Sequence, residues 1–430
     1  MRVPASPRSR PRDRSGATAP PDIFEQLLTD GAIHAVYQPI VELETGLTVA
    51  HEALARGPAG SPFESPEVLF REAHARNLVP QLDRLCQDAA IRGAFAAGSA
   101  SALPLFVNFE PAALGQRGSR VPVDGTSCSL ASLQLVAEIT ERSLLDRPAD
   151  LLREVERLRA DGWAIALDDV GAVPDSAAVM PLLDPDVIKL DLAMIQGLQT
   201  PARVSQLAAV LAHAERSNAL ILAEGIETEA HRRLALSMGA TFGQGWLFGR
   251  PGPFPEVVPP QAGPSFHPGV RQRSPVARTP VEAVFPRRNP RRATKEYLVG
   301  FSRHLENWAL AANAPPIVLA AFQTLDRFTP RSRRMYAALA ERCVLVAVAG
   351  AGISETPLPG VRGWSLADGN ELLGQWHVIV LGPHIAGALI AKDLGDDGPD
   401  NERRFDYVVT FERELVLEAA RSFLARVASI

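Results

Sequence analysis

Between residues 22 and 250, short apolar runs of strand-like composition alternate with amphipathic stretches of helical period. The runs are VYQPIVEL, LTVAHEAL, PLFVNF, LQLVAEIT, WAIALDD, VIKLD, ALILAEG and TFGQGWLF, with helical stretches between most of them. Strand and helix units of this number and length predict an α/β fold, a TIM-like (β/α)8 barrel. The first two runs are separated by Glu44, Thr45 and Gly46 alone, a turn too short for a parallel crossover. One barrel strand is therefore expected to run antiparallel to its neighbour.

From Pro251 to about residue 294 the pattern lapses. Prolines recur every few residues, and Arg287, Arg288, Arg291 and Arg292 cluster without apolar period, which predicts a linker over 251–294 with a solubilising charge run. A smaller α/β domain is expected over 295–430. Its elements are a helix over Lys295–Ala312, strands at PIVLAAFQ and CVLVAVAG, and a helix over Pro330–Arg342. Two more strands, HVIVLG and GALIAKDL, join near Pro383, and a closing helix over Thr410–Val427 carries Phe411, Leu415 and Ala419 on one face. Trp364, Trp376 and His377 flank these apolar strands and read more simply as core packing than as a ligand pocket.

Composition narrows the class. A chain of 430 residues, 46% hydrophobic and 22% charged, suits two globular domains, and a net charge of -5 argues against coating nucleic acid or an anionic membrane. Three cysteines, Cys86, Cys128 and Cys343, form no C-x-x-C pattern, which suits a reducing cytoplasm. The most apolar stretches, Cys343–Gly352 and Trp376–Lys392, are too short or too interrupted to span a bilayer. Residues 1–21 hold Arg2, Arg8, Arg10, Arg12 and Arg14 among Pro and Ser with no apolar segment following, so a disordered tail rather than a secretory signal is expected.

The chemistry is concentrated at strand ends. Glu52, Asn108, Glu138, the pair Asp168 and Asp169, Lys189 with Asp191, and Glu224 each close an apolar run. In a barrel these ends converge on one rim, so groups distant in sequence share one pocket. Crowded carboxylates raise one another's pKa unless cations compensate them, and oxygen ligands without a Cys or His cluster favour Mg²⁺ or Mn²⁺. A two-metal site of this kind suits phosphodiester hydrolysis. Any one of these acids could instead cap a following helix, and for Asp191 that reading is the better one.

Eight ordered segments over residues 22–251 resemble the EAL-domain phosphodiesterases: YQPI at Tyr37–Ile40, EAL at Glu52–Leu54 followed by Arg56, VNF around Asn108, EITE at Glu138–Glu141, LDD ending at Asp169, IKLD at Ile188–Asp191, AEGIET at Ala223–Thr228 and GQGWLFGRP at Gly243–Pro251. The resemblance implies a bacterial origin and hydrolysis of cyclic di-GMP to linear pGpG. It implies Glu52, Asn108, Glu138, Asp168, Asp169 and Glu224 as metal ligands, with Glu52, Glu224 and Lys189 in the catalytic role, Lys189 beside the attacking water. It places Gln38, Leu54, Arg56 and Gln244 against the dinucleotide, and Glu141 and Glu227 behind the ligands. A homodimer is expected. Residues 295–430 resemble the DICT sensor domain through IVLAAFQ, CVLVAVAG, ELLGQWHVIVLGP and GALIAKDL, with an unknown ligand or protein as its partner.

The chain departs from the family after its paired aspartates. A Phe-Gly-Thr-Gly-Tyr-Ser-Ser type loop is replaced by Val170, Gly171, Ala172, Val173, Pro174, Asp175 and Ser176, while the distance to Lys189 is kept. Two readings follow: an active phosphodiesterase, or a cyclic-di-GMP receptor or scaffold with little turnover. Retention of every expected ligand favours the enzyme.

Overall fold

The computed structural model describes residues 22–96, 103–110, 133–140, 148–172, 176–198, 200–255 and 276–427. Strands β1 (His34–Glu42), β2 (Thr48–Arg56), β3 (Leu105–Phe109), β4 (Leu135–Thr140), β5 (Ala164–Val170), β6 (Val187–Leu190), β7 (Leu220–Ala223) and β8 (Phe242–Gly243) close a barrel in sequence order. As the short Glu44–Gly46 turn requires, β1 runs antiparallel, both to β2 and to β8, and the remaining pairs are parallel. Gly46 takes φ 74 in this turn, a conformation costly for a residue with a side chain. Around the barrel lie α1 (Ile23–Asp30), α2 (Pro66–Arg76), α3 (Val79–Ala96), α4 (Pro148–Ala160), α5 (Ser176–Leu183), α6 (Leu192–Gln196), α7 (Pro201–Ser217) and α8 (Glu229–Ser237).

Strand periodicity builds the barrel interior in layers. Ala50, Phe106, Val136, Ala166, Val187 and Leu222 form one apolar cluster. Two residues further along the same strands stand Glu52, Asn108, Glu138, Asp168, Lys189 and Glu224. Side chains two apart share a strand face, so the polar ring rests on the apolar plug, which keeps water from its underside. The intervening residues, among them Val107, Ala137, Leu167, Ile188 and Ala223, point outward into the core beneath the helices.

The second sheet comprises β9 (Arg291–Thr294), β10 (Ile317–Thr324), β11 (Leu345–Ala351), β12 (Val361–Ser365), β13 (Gln375–Leu381), β14 (Ala386–Asp393) and β15 (Arg404–Thr410), ordered β12-β11-β10-β13-β14-β15-β9. The pairs among β10, β11 and β12 are parallel and the rest antiparallel. With it go α9 (Pro280–Val284), α10 (Lys295–Leu310), α11 (Pro330–Ala340) and α12 (Arg413–Val427). Val318, Ala320 and Val378 pack on one face with Leu298 and Leu305 of α10 and Tyr336 of α11. On the other face Leu319, Ile379 and Ile390 share a core with Ala419 and Phe423 of α12, and that core continues into Leu151, Leu152 and Val155 of α4.

Three expectations for this half are corrected. The arginine-rich stretch is not a free charge run: Arg291 and Arg292 lie in edge strand β9, with Arg292 Nε 2.8 Å from Asp406 Oδ1, while Arg287 lies 2.9 Å from Glu418 and Arg288 pairs with Glu412. Exposed charge on an outermost strand discourages further strand addition, which accounts for the missing apolar period. The closing helix starts at Arg413, because Thr410 still belongs to β15, and Phe411 is exposed against Trp308 rather than buried on the helix face. Strands β12 and β15 were not foreseen. Trp376 packs edge-on against Phe405, and His377 is fully buried, its burial pushing the imidazole down to about 3. Among the described residues Cys86 and Cys343 are unpaired, and Cys128 lies outside them.

Candidate active site

At the C-terminal rim of the barrel the ammonium of Lys189 is enclosed by carboxylates. Its Nζ lies 2.7 Å from Glu138 Oε1, 2.7 Å from Glu224 Oε1, 3.0 Å from Asp168 Oδ1 and 3.8 Å from Glu52 Oε1. Burial opposes its charge, but Asp168, Glu138, Glu224 and Glu52 together outweigh burial and hold the lysine well above its ordinary range.

The carboxylates differ in their surroundings. Burial, Glu52 and Asp168 push Glu138 well above the usual carboxylate range. Burial first, then Asp168 and Glu52, push Glu224 up to about 8. Burial also acts to raise Glu52, yet Lys189 and the hydrogen bonds it accepts hold it below its ordinary value. Those bonds come from Gln244 Nε2 at 2.6 Å and Asn108 Nδ2 at 3.3 Å. Gln244 Nε2 also donates to Gln38 Oε1 at 3.2 Å, and Gln38 Nε2 donates to the Gly249 carbonyl at 3.0 Å. A chain of amides thus fixes the Glu52 carboxylate.

Asp168 and Asp169 are adjacent on β5, where strict alternation would send one of them away from the pocket. The pairing of β5 with β6 slips between Leu167 and Val170, and Asp169 takes φ 58. This bulge turns both aspartates toward the rim, so that one oxygen from each of Asp168, Asp169 and Glu224 lies within 4.8 Å of the others. A left-handed non-glycine residue beside chemistry is strain retained for positioning.

These residues fit divalent cations. Glu138 Oε2 is buried without a hydrogen-bond partner, and four carboxylates surround one ammonium in a ring closed below by the apolar plug, with Asp169 beside Asp168 and Glu224. All-oxygen donors suit a hard ion, with Asp168, Asp169 and Glu224 nearest to a ready coordination group.

The expected site residues do not all converge. Gln38, Leu54, Gln244 and Glu227 line the open cleft above Glu52 and Glu224, Glu227 with an exposed side chain. Arg56 does not: its Nη1 donates to the neighbouring Ala55 carbonyl at 2.8 Å, away from the cleft lining. Asp191 caps α6 by accepting from the Ala193 N–H at 2.7 Å. Glu141, Val173, Pro174 and Asp175 lie outside the described residues. Leu192 and Trp246, both exposed, line the cleft and were not foreseen. An aromatic ring within the glycine-rich GQGWLFGRP segment was a usable signal for Trp246, and the Arg250 guanidinium covers its face at 4.0 Å. Nothing in the sequence distinguished Leu192 from a core leucine. Gly245 permits the loop's close approach, because a Cβ there would fall 2.1 Å from the Ile226 carbonyl oxygen.

A family model described as "EAL domain" matches residues 22–251, more than half of the chain. The chain belongs to the EAL family. A second family model, DICT, described as "Sensory domain in DIguanylate Cyclases and Two-component system", matches residues 281–394, beginning in α9 and stopping short of β15 and α12. This EAL chain is 30% identical over 232 residues to the cyclic di-GMP phosphodiesterase RocR of Pseudomonas aeruginosa, covering 53% of this chain and 59% of RocR. It is 30% identical over 239 residues to the cyclic di-GMP phosphodiesterase NbdA of the same organism, covering 54% of this chain and 30% of NbdA. Among solved structures, the PaMucR phosphodiesterase in complex with c-di-GMP matches at 27% identity and TM-score 0.46, over 54% of this chain and 96% of that one. Klebsiella pneumoniae BlrP1 with manganese and c-di-GMP matches at 25% identity and TM-score 0.45, over 51% and 56%. Among the described residues no helix is long and apolar enough to cross a membrane.

Proposed function

We propose that this EAL chain hydrolyses cyclic di-GMP to linear pGpG with the help of Mg²⁺ or Mn²⁺. The observation that carries the reading is the ring of Glu52, Glu138, Asp168 and Glu224 around Lys189, lying under an open cleft. Glu52, Asn108, Glu138, Asp168, Asp169 and Glu224 would hold the cations. When bound, the cations would neutralise the scissile phosphate and acidify a water. Lys189 keeps its proton among the carboxylates and presents positive charge to an attacking oxygen. Gln244 and Gln38 hold Glu52 in one orientation and offer amide edges to the nucleotide. Leu192 and Trp246 give the cleft apolar walls against which a base can lie.

The reading is tested by incubating the full chain with cyclic di-GMP and either cation, with Glu52→Ala as control, and separating the products chromatographically. Formation of pGpG by the unaltered chain alone is expected. Nucleotide that stays bound and intact under both cations would instead favour a receptor, the reading supported by the altered loop that starts at Val170.

Regulation by the second domain would act through α5. Arg421 of α12 donates from Nε to the Leu182 carbonyl and from Nη2 to that of Pro181, each at 2.9 Å. Arg159 of α4 serves the next two carbonyls, those of Leu183 and Asp184, at 3.1 and 2.7 Å. The last carbonyls of a helix have no partners within it, so one half of this cap comes from the barrel and the other from the second domain. Helix α5 connects β5, which carries Asp168 and Asp169, to β6, which carries Lys189. A displacement of α12 would therefore pull on the segment between the aspartates and the lysine.

A further inference from the structure

At one edge of the second sheet, three cations converge on a single carboxylate. Lys295, Arg327 and Arg403 all pair with Asp400, the Arg403 contact being 3.2 Å. A second carboxylate, Asp393, pairs with Arg403 and accepts from Gln323 Nε2 at 3.0 Å, while Gln323 Oε1 accepts from Arg403 Nη2 at 3.2 Å. Three positive charges thus meet two negative ones. Burial, together with Arg327 and Arg403, pushes Lys295 down to about 8, as expected where positive charge is in excess.

The two carboxylates are not equivalent. Asp393 ends β14 with its side chain 10% exposed, whereas Asp400 lies between β14 and β15 with its side chain 49% exposed. Asp393 is built into the sheet; Asp400 reaches the cations from a connecting segment. That segment is laid over the start of α10, where the Arg403 and Asn401 carbonyls accept the Lys295 and Glu296 N–H groups at 2.8 and 3.0 Å. Those backbone donors are occupied, so the attraction for an anion comes from the three side chains.

The backbone beneath is strained. Gln323, buried between Asp393 and Arg403, takes φ 64 where the pairing of β10 with β11 slips between Ala321 and Thr324. Such outliers persist where the surroundings over-determine them, commonly at ligand clamps. Strands β10 and β14 are each antiparallel to β13, so their C-terminal ends share this edge, and ligands of α/β sheets gather beyond the carboxyl ends of strands.

We propose that the second domain binds a small oxyanion, the phosphate or carboxylate group of a ligand, between Lys295, Arg327 and Arg403, and that Asp400 occupies this place as an internal counter-ion until the ligand displaces it. Two guanidinium groups and an ammonium match such a group through bidentate and point contacts. Competition from Asp400 weakens the apparent affinity by the fraction of molecules in which it holds the site.

The test uses the full chain in chelator, so that the barrel carboxylates hold no cation, and titrates inorganic phosphate and, separately, succinate by calorimetry. Asp400→Asn is expected to bind at least one of them tenfold tighter than the unaltered chain, and adding Arg327→Gln to that variant is expected to abolish the gain. Phosphate alone would indicate a phosphorylated ligand and succinate alone a carboxylate. Equal affinities of the unaltered chain and Asp400→Asn, or no saturable binding by either, would overturn the proposal. Should Asp400→Asn fail to unfold cooperatively, mass spectrometry of the unaltered chain decides: phosphate or succinate should slow acetylation of Lys295, and an unchanged rate with both overturns it.

Discussion

Lys189 Nζ lies 2.7 Å from Glu138 Oε1 at a depth where the two side chains are 1% and 0% exposed. Removing one partner of such a pair leaves a buried charge uncompensated, at a cost of about 3–5 kcal/mol. Lys189→Met is therefore expected to lower the melting temperature in chelator, and Mn²⁺ should restore the variant more than it stabilises the unaltered chain. Turnover of cyclic di-GMP should fall at least a hundredfold. Thermal unfolding with and without Mn²⁺, alongside product chromatography, checks both. Equal stability in chelator would show that the ammonium does not neutralise the ring.

Gln244 links Gln38 to Glu52 through one amide nitrogen, at 3.2 and 2.6 Å. Hydrogen bonds to a charged group contribute about 1.5–3 kcal/mol, so Gln244→Leu should reduce kcat/KM about tenfold or more with little change in melting temperature. Steady-state kinetics decides, and unchanged kinetics would remove Gln244 from the site.

Burial pushes the Arg421 guanidinium down to about 10, and Arg159, facing the same helix end, adds to the shift. Arg421→Ala should uncap the Pro181 and Leu182 carbonyls and cost about 2 kcal/mol. Calorimetry is expected to resolve one cooperative unfolding transition into two as the domains uncouple, with a measurable change in turnover. A single unshifted transition would exclude the α12–α5 contact as a coupling element.

Glu306 of α10 is buried, accepts from Ser302 Oγ at 3.2 Å, and is pushed up to about 7 by its burial. The unfolded chain releases this proton near its ordinary value of 4.5, while the folded chain keeps it until about 7. The folded state binds more protons in that interval, so this group's contribution to stability falls as pH rises through it and is level above. The span amounts to ~3 kcal/mol. Denaturant unfolding from pH 4.5 to 8 should show Glu306→Gln gaining on the unaltered chain as pH rises; parallel pH profiles would refute it.

Legibility followed from how much each position depends on its own strand. Glu52, Glu138, Lys189 and Glu224 close apolar runs, and the strand ends of a barrel converge, so their place in the run put them on one rim. Asp169 ends the same run as Asp168 and was placed on the rim with it, but its inward turn rests on φ 58 and a slipped register, which no local pattern encodes. Arg56 shares the strand face of Glu52 and Leu54, yet its side chain bonds to the Ala55 carbonyl, a choice made by local geometry. Strand β9 escaped because RRAT carries no apolar alternation. Its pairing with β15 is visible only when Asp406, more than a hundred residues away, stands opposite Arg292.

The plug of Ala50, Phe106, Val136, Ala166, Val187 and Leu222 gives the barrel an internal ruler. Glu52, Asn108, Glu138, Asp168, Lys189 and Glu224 are each measured from it by the same short step, along six separate strands. Losing one residue between plug and rim in any of them would swing that group outward into the helical shell, however well the fold survived. Changes in the connections above the rim leave the ruler intact. The departure that begins at Val170 falls beyond that step, so the spacing of Glu52, Glu138, Asp168 and Glu224 is set by parts of the chain that the altered segment does not touch. Asp169, turned in by the bulge that ends at Val170, is the carboxylate that adjoins it.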